Sequence, residues 1–164
     1  MTLTTHSLIA AAVTKPLAAA NPLLIFAAAF ASHLIADAIP HWDYPLASLV
    51  KKQNNAKEWR QTPASLKSDF LRTGCDAALG IALAFLAVRP ETRQEFFWVS
   101  AAVLGGILPD FLQGVYYIAG EPRWLAPLQH FHQRIHSKIT LAPYPLIGIP
   151  LQLLILFIAL YFLA

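Results

Sequence analysis

His33, Asp37 and His41 stand four residues apart along an otherwise apolar stretch of the chain. At helical pitch, His33 and Asp37 share one face about a turn apart. His41 follows Pro40, where the chain can bend back toward them. Imidazole nitrogens and carboxylate oxygens are natural ligands of zinc and similar divalent ions. The bland alternative is two polar residues satisfying one another inside a bundle, yet ionisable groups in membrane segments are costly and usually functional. A second candidate is Asp110, which ends the run Gly105-Gly106-Ile107-Leu108-Pro109-Asp110. The glycines and proline are expected to break their apolar segment and leave Asp110 beside backbone groups that need partners; capping of the next helical turn is the competing role. A third signal is His130-Phe131-His132-Gln133-Arg134-Ile135-His136-Ser137. His132 and His136 have the i, i+4 spacing of two ligands on one helix, while His130 lies outside that pair. The same run also fits an amphipathic helix lying on a membrane surface. His6 and Asp76 each lie near the end of an apolar segment, with capping of the third segment's helix a second role for Asp76. Asp43 is an outside candidate, as ligand or as support for one. Arg134 is suited to neutralising a phosphate.

The elements that must position these groups are strongly apolar. Of 164 residues, 57% are hydrophobic and 13% charged, whereas a soluble domain carries about 25% charged residues. So few charges cannot cover a water-facing surface, and lipid is expected to cover part of it. The length predicts a single domain, residues 1–164. The lone Cys75 excludes an internal disulfide framework, and no basic residue precedes the first apolar stretch in the manner of a secretory signal. Five apolar segments are expected: Leu3 to Val13, Pro22 to Ile39, Cys75 to Val88, Phe96 to Ala119 and Leu141 to Ala164. The second, fourth and fifth approach or exceed the ~20 residues a membrane helix needs; the first and third are short. A soluble bundle would need polar faces at helical period, and from Leu153 to Ala164 only Tyr161 carries a polar side-chain atom. The expected fold is therefore an all-α, polytopic membrane bundle with some segments short or broken. Its polar loop spans about residues 41–74.

If all five segments cross, loops 41–74 and 121–140 share one side of the membrane. They carry nine basic residues (Lys51, Lys52, Lys57, Arg60, Lys67, Arg72, Arg123, Arg134 and Lys138) against Lys15, Arg89 and Arg93 on the other. That excess marks their side as cytoplasmic. The Lys51–Arg60 run reads as a solvated loop whose charges can also hold anionic lipid headgroups. Alternating crossings bring His6, Asp37, His41, Asp76, Asp110, His132 and His136 to the same side, although they were picked by residue type alone. With His33, that makes eight candidate ligands, enough for about two metal ions and up to three. The sequence has no phosphate-binding glycine loop, no Gly-x-Ser-x-Gly elbow and no paired-cysteine motif.

Thr5-His6, the Gly105–Asp110 run and the His132–Ser137 run resemble the hallmarks of the YdjM-type inner-membrane metal-dependent hydrolase family. Those hallmarks are a Thr-His opening, a Gly-x-Leu-Pro-Asp turn and a His-Arg…Thr-His-Ser ending. More remotely, His33-x-x-x-Asp37 with His41 is similar to motifs of the zinc-dependent phospholipase C and nuclease superfamily, all-helical enzymes with clustered zinc ions. The chain departs at the last motif, His-Gln-Arg-Ile-His-Ser, which is one residue shorter and lacks the threonine before His136. The resemblance implies a metal-dependent hydrolase of a prokaryotic inner membrane. The expected reaction is hydrolysis of a phosphoester, membrane lipid being the natural source, by metal-activated water. Zinc is the first-choice ion, with Asp37 or Asp110 as general base and Arg134 beside the phosphate. No nucleic-acid partner is expected. The rival reading is a non-catalytic metal-binding or metal-transporting membrane protein.

Overall fold

The computed structural model describes residues 1–51, 57–59 and 61–163. Its helices are α1 (Leu3–Thr14), α2 (Pro22–Asp37), α3 (Pro63–Val88), α4 (Arg93–Ile118), α5 (Ala126–Ile135) and α6 (Pro145–Leu163). Between α2 and α3 lies a two-stranded antiparallel ribbon, β1 (Leu49–Lys51) with β2 (Lys57–Trp59). Most of the Lys51–Arg60 run, including Lys52 and Arg60, lies outside the described residues. Three helices, α3, α4 and α6, are long and apolar enough to cross a membrane. The apolar α2 is shorter, at 16 residues.

The short α1 is the hub, packed against α2, α3, α4 and α6. Its 12 residues extend about 18 Å, well short of the ~30 Å hydrocarbon core. It meets that limit by being enclosed: Thr4 through Leu8, Ala10, Ala11 and Thr14 are all buried. Close approach depends on glycine. A Cβ on Gly80 would lie 2.7 Å from Ser7 Oγ and 2.8 Å from Thr4 Cα, and one on Gly106 would lie 2.7 Å from Ala10 Cβ. Leu8, Ala11, Ile25, Ala84, Trp98, Val99, Ala102 and Val103 form the apolar core around this axis. The outward faces of the long helices are apolar too, with Phe70, Leu104, Phe157 and Phe162 exposed, as a lipid-covered surface requires.

Two expectations need correction. The segment holding Gly105, Gly106 and Pro109 is not broken: α4 runs unbroken through all three. The glycines admit neighbours, and a Cβ on Gly105 would lie 2.6 Å from the Phe26 carbonyl oxygen. Nor is the loop as long as 41–74, because α3 begins at Pro63. Thr62 caps its N-terminus in a reciprocal capping box with Ser65, which satisfies two otherwise orphaned N–H groups. The shortened loop is pinned to α3 by Asp69, whose carboxylate accepts from the Ala47 and Ser48 amides and the Ser48 hydroxyl.

Candidate metal centre

The centre forms where the end of α2, the start of α1, the later half of α4 and the end of α5 meet. Asp37 is its middle, buried completely. Its Oδ2 lies 2.9 Å from His132 Nε2 and 3.2 Å from His33 Nε2. Its Oδ1 lies 3.1 Å from His6 Nε2 and 3.8 Å from His41 Nε2. Asp110 Oδ1 approaches His33 Nε2 at 3.6 Å and His132 Nε2 at 4.0 Å. The His6 and His33 rings stack with centroids 3.7 Å apart. Two segments leaving these helices run side by side and complete the set. The Ser137 amide donates to the Asp37 carbonyl and the Leu141 amide to the His41 carbonyl. This pairing sets the His136 ring against His41, centroids 4.9 Å apart.

The orientation of the rings is chemically specific. His33 Nδ1 lies 2.6 Å from the Gly106 carbonyl, His41 Nδ1 2.7 Å from the Ile39 carbonyl, and His136 Nδ1 3.1 Å from the Ser137 carbonyl. A carbonyl only accepts, so in each ring Nδ1 carries the proton and Nε2 of the neutral imidazole presents a lone pair. Metal-binding histidines are typically fixed in this way. With both rings neutral, the Nε2 lone pairs of His33 and His41 point toward carboxylate oxygens, which are also acceptors. Accordingly His33 Nε2, His41 Nε2 and both nitrogens of His6 are buried without a hydrogen-bond partner, a condition that costs about 1–3 kcal/mol per group. A cation shared between rings and carboxylates removes that conflict.

The spacing suits such an ion. His33, Asp37, Asp110 and His132 each offer one ligand atom, all within 4.8 Å of one another; Asp37, His41 and His136 do the same. Four ligands at zinc's bond lengths of ~2.0–2.1 Å stand roughly 3.3 Å apart at tetrahedral corners. The measured separations of 2.9 to 4.0 Å bracket that value. These two buried His/Asp groups can therefore hold metal, and Asp37 belongs to both.

Positive charge is already drawn to this spot: the Met1 α-amino group lies 3.1 Å from Asp37 Oδ1 and 2.9 Å from Asp43 Oδ1. Burial works against its charge, but Asp43, Asp37 and Asp110 outweigh burial and hold its pKa above the usual amine value. Burial pushes the His136 imidazole below its ordinary value, which favours the neutral ring.

The structure thus gathers seven of the eight candidate ligands: His6, His33, Asp37, His41, Asp110, His132 and His136. Asp43 joins their edge, 3.2 Å from His41 Nε2. Asp76 is placed elsewhere. Its carboxylate accepts from the Leu3 and Thr4 amides at 2.7 and 3.2 Å, the Thr4 hydroxyl at 2.6 Å and the Tyr44 hydroxyl at 3.2 Å, so it caps α1. Arg134 and His130 share the outward face of α5, opposite buried His132, and Arg134 does not line the centre. The carbonyls of Gly106, Ile39 and Ser137 were not found from sequence; only the unusual Gly-Gly pair hinted at one of them. No family model, curated protein or solved structure matches the chain.

Proposed function

We propose that the chain is a metal-dependent phosphoester hydrolase that works on membrane lipid at the cytoplasmic face of a prokaryotic inner membrane. The observation that carries this reading is the pair of buried imidazoles, His33 and His41, each oriented by a backbone carbonyl with its Nε2 turned toward Asp37 or its neighbours. The two His/Asp groups would hold a pair of zinc-like ions, whose chemistry when bound would be to acidify a water and to draw charge from a phosphoryl oxygen. The chain's own residues do the rest. Asp37, enclosed and shared, fixes the distance between the two groups. Asp110, with 26% of its side chain exposed, is open enough to meet a substrate and take a proton from water as general base. Ligands gathered at one point, rather than strung along a path, favour catalysis over transport. The resemblance to YdjM-type hydrolases agrees with this reading, and the excess of basic residues across the 41–62 connection, the first turns of α3 and the 121–140 stretch supports the cytoplasmic placement.

Elemental analysis of purified protein, combined with a panel of phosphomonoesters, phosphodiesters and phospholipids, tests the proposal. About two divalent ions per chain are expected, with cleavage abolished by chelation and restored by zinc. Bound metal with no phosphoester cleaved would move the binding or transport reading ahead, and absence of metal after reconstitution would sink both. Single cysteines at Ala64 and Gln94 in a Cys75→Ser background test the sidedness. Labelling of position 64 from outside intact cells would reverse it.

A further inference from the structure

The stripe of α5 that turns away from the centre has a chemistry of its own. Pro127, His130, Phe131 and Arg134 follow one another at helical spacing and line a groove of about 230 Å³. The opposite stripe, Leu125, Gln129 and His132, is buried against the bundle. Short connections, 119–125 and 136–144, tie α5 to α4 and α6. Both of those helices are long and apolar enough to cross a membrane, so α5 is held at the level of the bilayer surface. Trp124 is 73% exposed, and Phe131, Ile139 and Tyr144, on α5 and the connection after it, are exposed too. Aromatic side chains with a polar edge concentrate at the headgroup level. The charge is one-sided as well: Arg123, Arg134 and Lys138 lie here, and no aspartate or glutamate occurs from Pro122 to the end of the sequence, Glu121 being the last.

We propose that this outward face of α5 seats an anionic lipid headgroup at the membrane surface. Arg134, with His130 one turn before it, meets the phosphate, while Phe131 and Pro127 lie against the glycerol and upper acyl region. Lysines and arginines near a membrane surface each contribute about 1 kcal/mol toward anionic lipid, which is about fivefold in occupancy. A soluble acidic partner would satisfy the same guanidinium, but it leaves the exposed aromatic side chains beside two membrane helices unexplained. The inference rests on α4 and α6 crossing the bilayer and is independent of any hydrolase activity.

The test uses the full chain with Cys75→Ser and Pro127→Cys, a fluorophore on the new cysteine, and nanodiscs of phosphatidylcholine containing a minor share of phosphatidylglycerol. Headgroup-proximal brominated phosphatidylglycerol should quench the label about fivefold more than brominated phosphatidylcholine at equal mole fraction. Arg134→Gln combined with Lys138→Gln should erase that preference while bound metal stays unchanged. Equal quenching by both lipids would overturn the proposal, as would quenching by neither. Quenching that vanishes in discs holding two copies would assign the face to a second copy instead. Loss of metal together with the lipid preference would place these residues in the centre and likewise overturn it.

Discussion

Asp37 and Asp76 are both aspartates at the ends of apolar stretches, yet their surroundings are opposite. Every partner of Asp76 is a donor: two amides at the start of α1 and two hydroxyls. Its negative charge is satisfied by hydrogen bonds and by the positive end of a helix dipole. Asp37 is ringed by imidazole nitrogens, and the two rings nearest in sequence, His33 and His41, have their donor proton committed to a carbonyl elsewhere. One environment is complete as it stands, while the other draws positive charge, the Met1 ammonium among it, and still leaves imidazole nitrogens facing carboxylate oxygens. The contrast shows that a buried carboxylate is read as a ligand or as a cap from the donor capacity opposite it, not from its position on a helix.

The sharpest way to break that contrast is Asp37→Asn, which keeps shape and removes charge. Because Asp37 belongs to both groups, both ions should be lost and phosphoester hydrolysis should fall to background. His41→Ala touches one group only and should release about one ion of two. Elemental analysis that finds equal losses in the two variants would refute the shared-carboxylate arrangement. A smaller effect is expected from Gly106→Ala. Its Cβ would press on Ala10 Cβ and on the His6 carbonyl oxygen at 2.7 and 3.0 Å, shifting the carbonyl that orients His33. Metal affinity should weaken about 10- to 100-fold, the usual cost of disturbing a ligand's support; competition with a chromogenic chelator measures it. The smallest effect on metal belongs to Asp76→Ala. It should lower stability by roughly 1 kcal/mol, as loss of a helix cap does, and leave metal content intact. Thermal unfolding followed alongside metal analysis checks both halves, and loss of metal in folded Asp76→Ala protein would erase the distinction between the two aspartates.

Much of this molecule was legible in residue order. The proline at position 22, the apolar run of α6 from Leu153 onward and the i, i+4 spacings of His33, Asp37 and His41 carry local information, and local information survives in sequence. The start of α3 was missed because Lys67, Ser68, Asp69 and Arg72 read as loop, although Thr62-Pro63 is a recognisable helix opening. The continuity of α4 was missed for a different reason. Two glycines followed by a proline predict a break unless neighbouring helices require a smooth backbone there, and the demand came from Phe26, Ala29 and Ala10 on other elements. The outward turn of Arg134 follows from its offset of two residues from His132, a half turn of helix. The centre's residue types were readable, but the carbonyls that set each tautomer come from tertiary packing and leave no trace in composition.

The enclosure of α1 bears on the order in which the protein is built. Synthesis produces α1 well before α6, yet the two are joined at both ends. The Gln152 side chain reaches the Thr2 and Thr5 hydroxyls at 2.7 and 3.2 Å, and Lys15 Nζ donates to the Phe162 and Leu163 carbonyls at 3.0 and 2.9 Å. Before α6 arrives, the Thr2 and Thr5 hydroxyls have each other, but that side of α1 lacks its helix partner. It follows that His6 reaches its final place only once α6 has inserted, so the centre ripens after four other helices are already in position.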